Sequence, residues 1–296
     1  MPFLGEISAL LTAIVWSGSA FLFAAATARV GSMQVNIVRL ILATILLLVV
    51  ILVLQFDTRL SFSQVLSLGI SGIIGLAIGD TFLFRAFKEI GARMSMLIMS
   101  LAPAFSAILA YVFLDEVLSV GGIAGIVVTM AGIAMVVLEK ERPGTSRYLM
   151  TGVGVLYAVV GAGGQGGGLI FAKMAFMESD LNGFVATLVR IVASLVILVP
   201  VLIVTGRLRN PVPVFLKERK AFLFTSGGAV LGPVLGISFS LIAIAHTKVG
   251  IAATIMATVP ILMLPIARFV TREQITGKSV LGAFITVAGV AILFLR

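Results

Sequence analysis

The chain contains no cysteine. Disulfides, thiolate metal sites and thiol nucleophiles are therefore excluded. Histidine is nearly absent too. His246 is the single one, so no His-rich metal centre can be assembled. It falls at a predicted helix end, where it reads as an interfacial polar residue rather than a proton carrier. Charge is sparse: Asp, Glu, Lys and Arg make up 11% of the residues, against about 25% in an ordinary soluble domain. The first five residues lack the basic start of a cleavable leader, so the first apolar run is expected to be a retained helix.

What fills the chain instead is apolar. Of 296 residues 60% are hydrophobic, and the mean hydropathy is +1.22. Apolar runs long enough to cross a bilayer recur along the whole length. The expected fold class is an all-α membrane protein, because a backbone in lipid must satisfy its own hydrogen bonds. The runs do not alternate in polarity, which excludes a closed barrel. Ten transmembrane helices are expected, near 4–26, 33–54, 65–87, 93–114, 118–138, 149–172, 182–204, 221–245, 249–270 and 276–295. The stretch 205–220, basic with a Pro-x-Pro centre, is expected to lie along the headgroups. The net charge of +9 resides mostly in short loops, where it reports membrane orientation rather than nucleic-acid binding. By that rule both termini lie outside the cytoplasm.

A register of 157 residues organises these spans. Gly75, Gly79, Ala86, Met99, Pro103, Glu116, Gly125, Thr129, Gly132 and Ala134 fall without a gap on Gly232, Gly236, Ala243, Met256, Pro260, Glu273, Gly282, Thr286, Gly289 and Ala291. VNIVRLILA at 35–43 pairs more loosely with ATLVRIVAS at 186–194, setting Arg39 opposite Arg190. The chain thus reads as two five-helix repeats, residues 1–138 and 149–296, joined by a linker at 139–148. Five is odd, so the second copy enters the membrane inverted. Inverted repeats place a substrate site at their interface near the midplane.

Three ionisable side chains fall inside apolar runs: Arg39, Asp80 and Arg190. Each costs about 2.5–3.5 kcal/mol at a span centre on insertion scales unless it is paired or hydrated. Arg39 and Asp80 lie at matching depth from one face, so an ion pair is expected, either as a structural bridge or as a proton- or substrate-responsive switch. The register puts Ile237 where Arg190 would need an acid, so Arg190 must find carbonyls, water or an anionic ligand. Gly161–Gly168, GAGGQGGG, contains a G-x-G-x-x-G pattern, but no strand precedes it and a dinucleotide site is rejected. These glycines, among them Gly163, Gly164, Gly166 and Gly167, allow either close helix approach or an openable helix. Gln165 among them is expected to face polar surroundings. The matching part of the first span carries Trp16, which can stack on a ligand or serve packing. Pro103 and Pro260 are expected to bend helices four and nine as paired hinges. Glu116 and Glu273 close those helices as caps or loop contacts. Gly125/Gly132 and Gly282/Gly289 suit close packing of helices five and ten, within a monomer or in a homodimer. Gly277-Lys278-Ser279 resembles the end of a P-loop, but Arg272 stands where its first glycine should be.

Ten helices in two repeats, an Arg in the second helix of each, GDTFLFRA leading into SLAP, and a Glu after helix four together resemble the drug/metabolite transporter superfamily, specifically its EamA-type branch. The resemblance covers almost the whole chain. It implies a basket-shaped bundle around a central cavity, and export or exchange of small metabolites such as amino acids, coupled to a gradient. Members of that branch are drawn with both termini cytoplasmic, opposite to the charge rule. The expectation is a multi-pass protein of the plasma (inner) membrane, not an enzyme, without cofactor, metal or nucleic-acid partner, with protons a candidate coupling ion. Trp16, Gln165 and Arg190 are expected to contact substrate. Arg39 and Asp80 would form the coupling or structural pair. Alternatives are a flippase for a lipid-linked head group and a non-transporting assembly partner.

Overall fold

The computed structural model describes residues 3–137, 151–206, 210–263 and 277–294. Among them every regular element is a helix. Six helices are long and apolar enough to cross a membrane: α1 (Leu4–Val30), α2 (Ser32–Leu54), α3 (Phe62–Gly91), α6 (Gly152–Glu178), α7 (Gly183–Val204) and α9 (Arg219–His246). Four shorter apolar helices accompany them: α4 (Ala102–Leu114), α5 (Val120–Val137), α10 (Val249–Met263) and α11 (Gly277–Phe294). The stretch expected to be a loop at 205–220 contains α8 (Pro211–Lys217). It starts there because Asn210 caps the Val212 N–H and Pro211 needs no donor of its own. The linker at 139–148 lies outside the described residues.

Local chemistry sets the ends. Ser61 and Gln64 form a capping box at the start of α3. Asn182 caps α7 through the Phe184 N–H, 2.9 Å away. Between α1 and α2 only Gly31 intervenes, at φ 89°, where a side chain would be strained. The outward faces stay apolar. Leu52, Val53 and Val204 are 74%, 73% and 87% exposed, which suits lipid rather than water. Leu40, Leu47, Ile191, Leu241 and Ile251 are fully buried where the helices meet.

The 157-residue register reappears as geometry. α3 widens to an i→i+5 turn at Ile73–Gly79, and α9 widens at Val230–Ile237, 157 positions later. A helical segment at 92–99 stops at Ser100–Leu101, and α10 is interrupted at Ala257–Thr258, again 157 apart. Here the sequence reading needs correcting. Pro103 does not bend a continuous helix; it sits in the first turn of a new one. A proline there removes an N–H that had no partner anyway, so a clean break is cheaper than a kink.

Helices α5 and α11 show the symmetry at closest range. A Cβ on Gly132 would collide with Thr286, and a Cβ on Gly289 would collide with Thr129. Thr286 is the counterpart of Thr129, and Gly289 that of Gly132. Each helix therefore offers the same patch to the other, which defines a two-fold contact. The order runs antiparallel: 129 meets 289 and 132 meets 286.

Candidate functional site

Helix α3 runs between α2 and α6. Gly79 faces Gly161 and Gly164 of α6, and Gly75 faces Gly164 and Gly168. The hydroxyl of Ser71 donates to the Gly168 carbonyl at 2.5 Å. The glycine run is therefore an unbroken stretch of α6 on which the wide turn of α3 rests backbone to backbone. Gly166 lies against Phe105 and Ser106 of α4, and Gly167 against the Ile74 side chain. Gly163 alone among the four named hinge candidates faces open space. On the opposite flank the wide turn of α9 rests on α1, with the pyrrole edge of Trp16 against Gly236 and Phe23 against Gly232.

These two wide turns bracket a cavity of about 100 Å³. Its wall is mostly aromatic and aliphatic: Trp16, Phe23, Phe84, Phe87, Met96 and Met256. The polar groups on it include Ser19, Arg39, Asp80, Ser100 and Gln165. Ala257 and Pro260, at the break in α10, also line it. Residues from both repeats thus share one wall.

Arg39 and Asp80 form the expected pair, with Nη2 of Arg39 2.5 Å from Oδ2 of Asp80. Arg39 also donates to Oδ1 of Asn36, from Nε at 3.0 Å and from Nη2 at 2.9 Å. Its guanidinium lies 4.8 Å from the Phe84 ring centre and 5.6 Å from that of Phe23. Asn36 in turn donates to Thr81 at 3.0 Å. One arginine is thereby held by an acid, an amide and two ring faces.

The second repeat copies part of this arrangement. Thr187 stands for Asn36 and Ser238 for Thr81, and their hydroxyls are 3.1 Å apart. Arg190 stands for Arg39, but Ile237 stands for Asp80. Arg190 is 1% exposed and its Nε has no hydrogen-bond partner. One Nη touches the position a Cβ would take on Gly75. Arg190 is not itself on the cavity wall. Leu76, Leu169 and Gln165, chain neighbours of Gly75, Gly168 and Gly164, are. The Asn36–Thr81 and Thr187–Ser238 bonds were missed by sequence reading. Their signal is there, since both fall on the two repeat registers.

The end of the bundle away from Phe87 and Met96 is tied shut by polar contacts, three of them between repeats. Oε2 of Glu116 accepts from the Val249 N–H at 2.9 Å, capping α10. Lys248 donates to the Val117 carbonyl at 2.5 Å. Within the second repeat, Lys173 donates to the Ile244 carbonyl near the end of α9 at 2.6 Å and to the carbonyl of Thr247, just past it, at 3.4 Å. Thr247 donates to Glu6 at 3.1 Å. His246 lies exposed at the same end, and Glu273 lies outside the described residues.

A multi-pass helical membrane protein with a cavity shared between two internal repeats is the class these features define. The EamA-like transporter family matches residues 3–138 and 152–295, one match per repeat. The chain belongs to that family, within the drug/metabolite transporters. No curated protein matches it. A solved structure titled only "Crystal structure of protein" is similar at a TM-score of 0.76 with 17% identity, over 100% of this chain and 98% of that one. At that identity the likeness concerns the fold alone.

Proposed function

We propose that the protein is a secondary transporter carrying small organic metabolites across the plasma membrane by alternating access. The family supports a membrane transporter of small molecules. The observation that carries the mechanism is the pairing of a cavity walled by both repeats with a cross-repeat closure at one end, made by Glu116–Val249, Lys248–Val117 and Thr247–Glu6. Ten spans in two inverted repeats fit the antiparallel α5–α11 contact and the matching wide turns. On this reading the repeats tilt against each other, opening the Glu116–Val249 end and closing the Phe87–Met96 end.

Trp16 and Gln165 contact the substrate at the wall, and Arg190 acts on it from behind Gly75. Arg39 and Asp80 form the coupling pair, with protons the candidate ion. Ser100–Leu101 and Ala257–Thr258, ahead of Pro103 and Pro260, supply the flexing points. The positive-inside rule turns the Phe87–Met96 end toward the cytoplasm. The test is uptake and counterflow in vesicles reconstituted with the purified protein, with and without a proton gradient, over a panel of metabolites. Gradient-driven flux that Gln165→Ala and Trp16→Ala weaken supports the reading. Absence of protein-dependent flux across the panel ends it.

A further inference from the structure

The core of the bundle carries an unbalanced charge. Arg39 and Arg190 are the buried charged side chains among the described residues. Arginine stays protonated in proteins. Asp80, 13% exposed at its side chain, is the acid beside them, bonded to Arg39 and close enough for its charge to act on Arg190. Two positive groups and one negative leave a net +1 at this depth. An uncompensated charge in a low-dielectric interior is strongly unfavourable. The register shows where the missing acid belongs. The Asn36–Thr81 contact recurs as Thr187–Ser238, and the register sets Arg190 and Ile237 where the first repeat has the Arg39–Asp80 pair, so the second repeat keeps the cation and lacks its acid.

Resting on the transporter reading above, we propose that the cavity takes an organic anion: a small acid with one carboxylate and an apolar body, which supplies the charge Arg190 lacks. Two features place the carboxylate. The Gln165 amide lies on the wall, where its N–H groups can donate to a carboxylate. The Arg190 guanidinium lies against Gly75, which has no side chain of its own, one residue from Leu76 on the wall, so its charge acts on the cavity at short range. The apolar body then rests among Trp16, Phe84 and Met256. An amine would meet net positive charge, and a zwitterion would bring no net compensation.

Trp16 is the only tryptophan and is on the cavity wall, so its emission reports binding directly. The test titrates purified protein with three compounds sharing one phenyl body: 3-phenylpropanoate, phenylalanine and 2-phenylethylamine. Sodium chloride serves as the inorganic-anion control. The acid is expected to bind about tenfold or more tightly than the other two, the size of one charge-assisted contact. Arg190→Gln removes that preference and Arg190→Lys keeps most of it. Ile237→Asp, which restores the absent acid, abolishes it, while Ile237→Asn leaves it. Equal or tighter binding of phenylalanine or the amine overturns the proposal. So does a preference that survives Ile237→Asp, or a response to chloride alone. Silence toward all three overturns the anion class too. Vesicle flux of any other metabolite would then leave the transporter reading standing, so the two failures are distinct.

Discussion

Replacing Asp80 by Asn removes the charge from the Arg39 pair with little change of shape. The contacts fix the expected size. Arg39 loses a charge-assisted bond of 2.5 Å but keeps Asn36 and the faces of Phe84 and Phe23. Removing one partner of a buried pair costs about 3–5 kcal/mol. The remaining amide bonds and ring faces recover about 1–2 kcal/mol. The net loss is then about 1–4 kcal/mol in unfolding free energy by these terms. Arg39→Met combined with Asp80→Asn removes both charges, and is expected to restore at least half of that loss, since a pair replaced by neutral groups is often close to neutral. Unfolding in mixed micelles, followed by Trp16 emission, measures all three variants as a double-mutant cycle. A loss below about 0.5 kcal/mol for Asp80→Asn, or strictly additive single effects, refutes the pair as a structural element. Vesicle transport of the same variant separates the second role. If rate and pH dependence are unchanged, Asp80 is not the proton site.

Four further outcomes follow from the contacts. Gly164→Ala places a methyl 2.7 Å from the Gly79 Cα and is expected to cost about 1–3 kcal/mol. Gly163→Ala meets nothing within 4 Å and is expected to be neutral or to gain about 0.5–1 kcal/mol from helix propensity, both read by unfolding midpoint. Gly132→Leu drives a side chain into Thr286 and is expected to separate α5 from α11, seen as loss of a cross-link between cysteines introduced on those helices. Glu116→Gln weakens the cap on α10 by about 0.5–1 kcal/mol. Because the chain has no cysteine, Ala107→Cys, beside Gly250, then reports faster labelling from that end.

Much of the fold was legible because bilayer length forces long apolar runs, and glycine, proline and acid identities survive at one register. The wide turns in α3 and α9 were not. An i→i+5 turn has no residue signature of its own, and Ile73–Gly79 reads as ordinary helix. A break before Pro103 cannot be told from a bend by sequence, which shows where a donor is missing but not which way the chain resolves it. At the site, the Arg39–Asp80 pair was readable from depth alone, since two opposite charges at one level in lipid have few other options. The closure by Glu116, Lys248 and Thr247 was not. It depends on which helix ends meet, and a Glu at a span end reads equally well as a cap on its own helix. Asn36–Thr81 and Thr187–Ser238 were hidden because such hydroxyls commonly bond back to their own helix, as Thr187 also does to Gly183.

The break in symmetry bears on how such a carrier turns over. In an inverted pair of repeats, the second end state arises when each half adopts the other's conformation. Were the halves identical in chemistry, the two states would be equal in energy, and nothing in the protein would favour either. Here the scaffold is matched closely at the wide turns, the breaks, and the Thr129/Gly289 and Gly132/Thr286 contacts. The chemistry departs from it at Asp80 and Ile237, both on the cavity wall. Exchanging conformations would give Asp80 the surroundings Ile237 has here, at 6% exposure, and would bring Arg39 into the position of Arg190, behind glycine backbone. A charged pair then becomes more buried in one state than in the other. On the proposed alternating-access reading, the desolvation of that pair would set an energy gap between the states. A solute or proton that changes its charge shifts the gap, which is the condition for coupling.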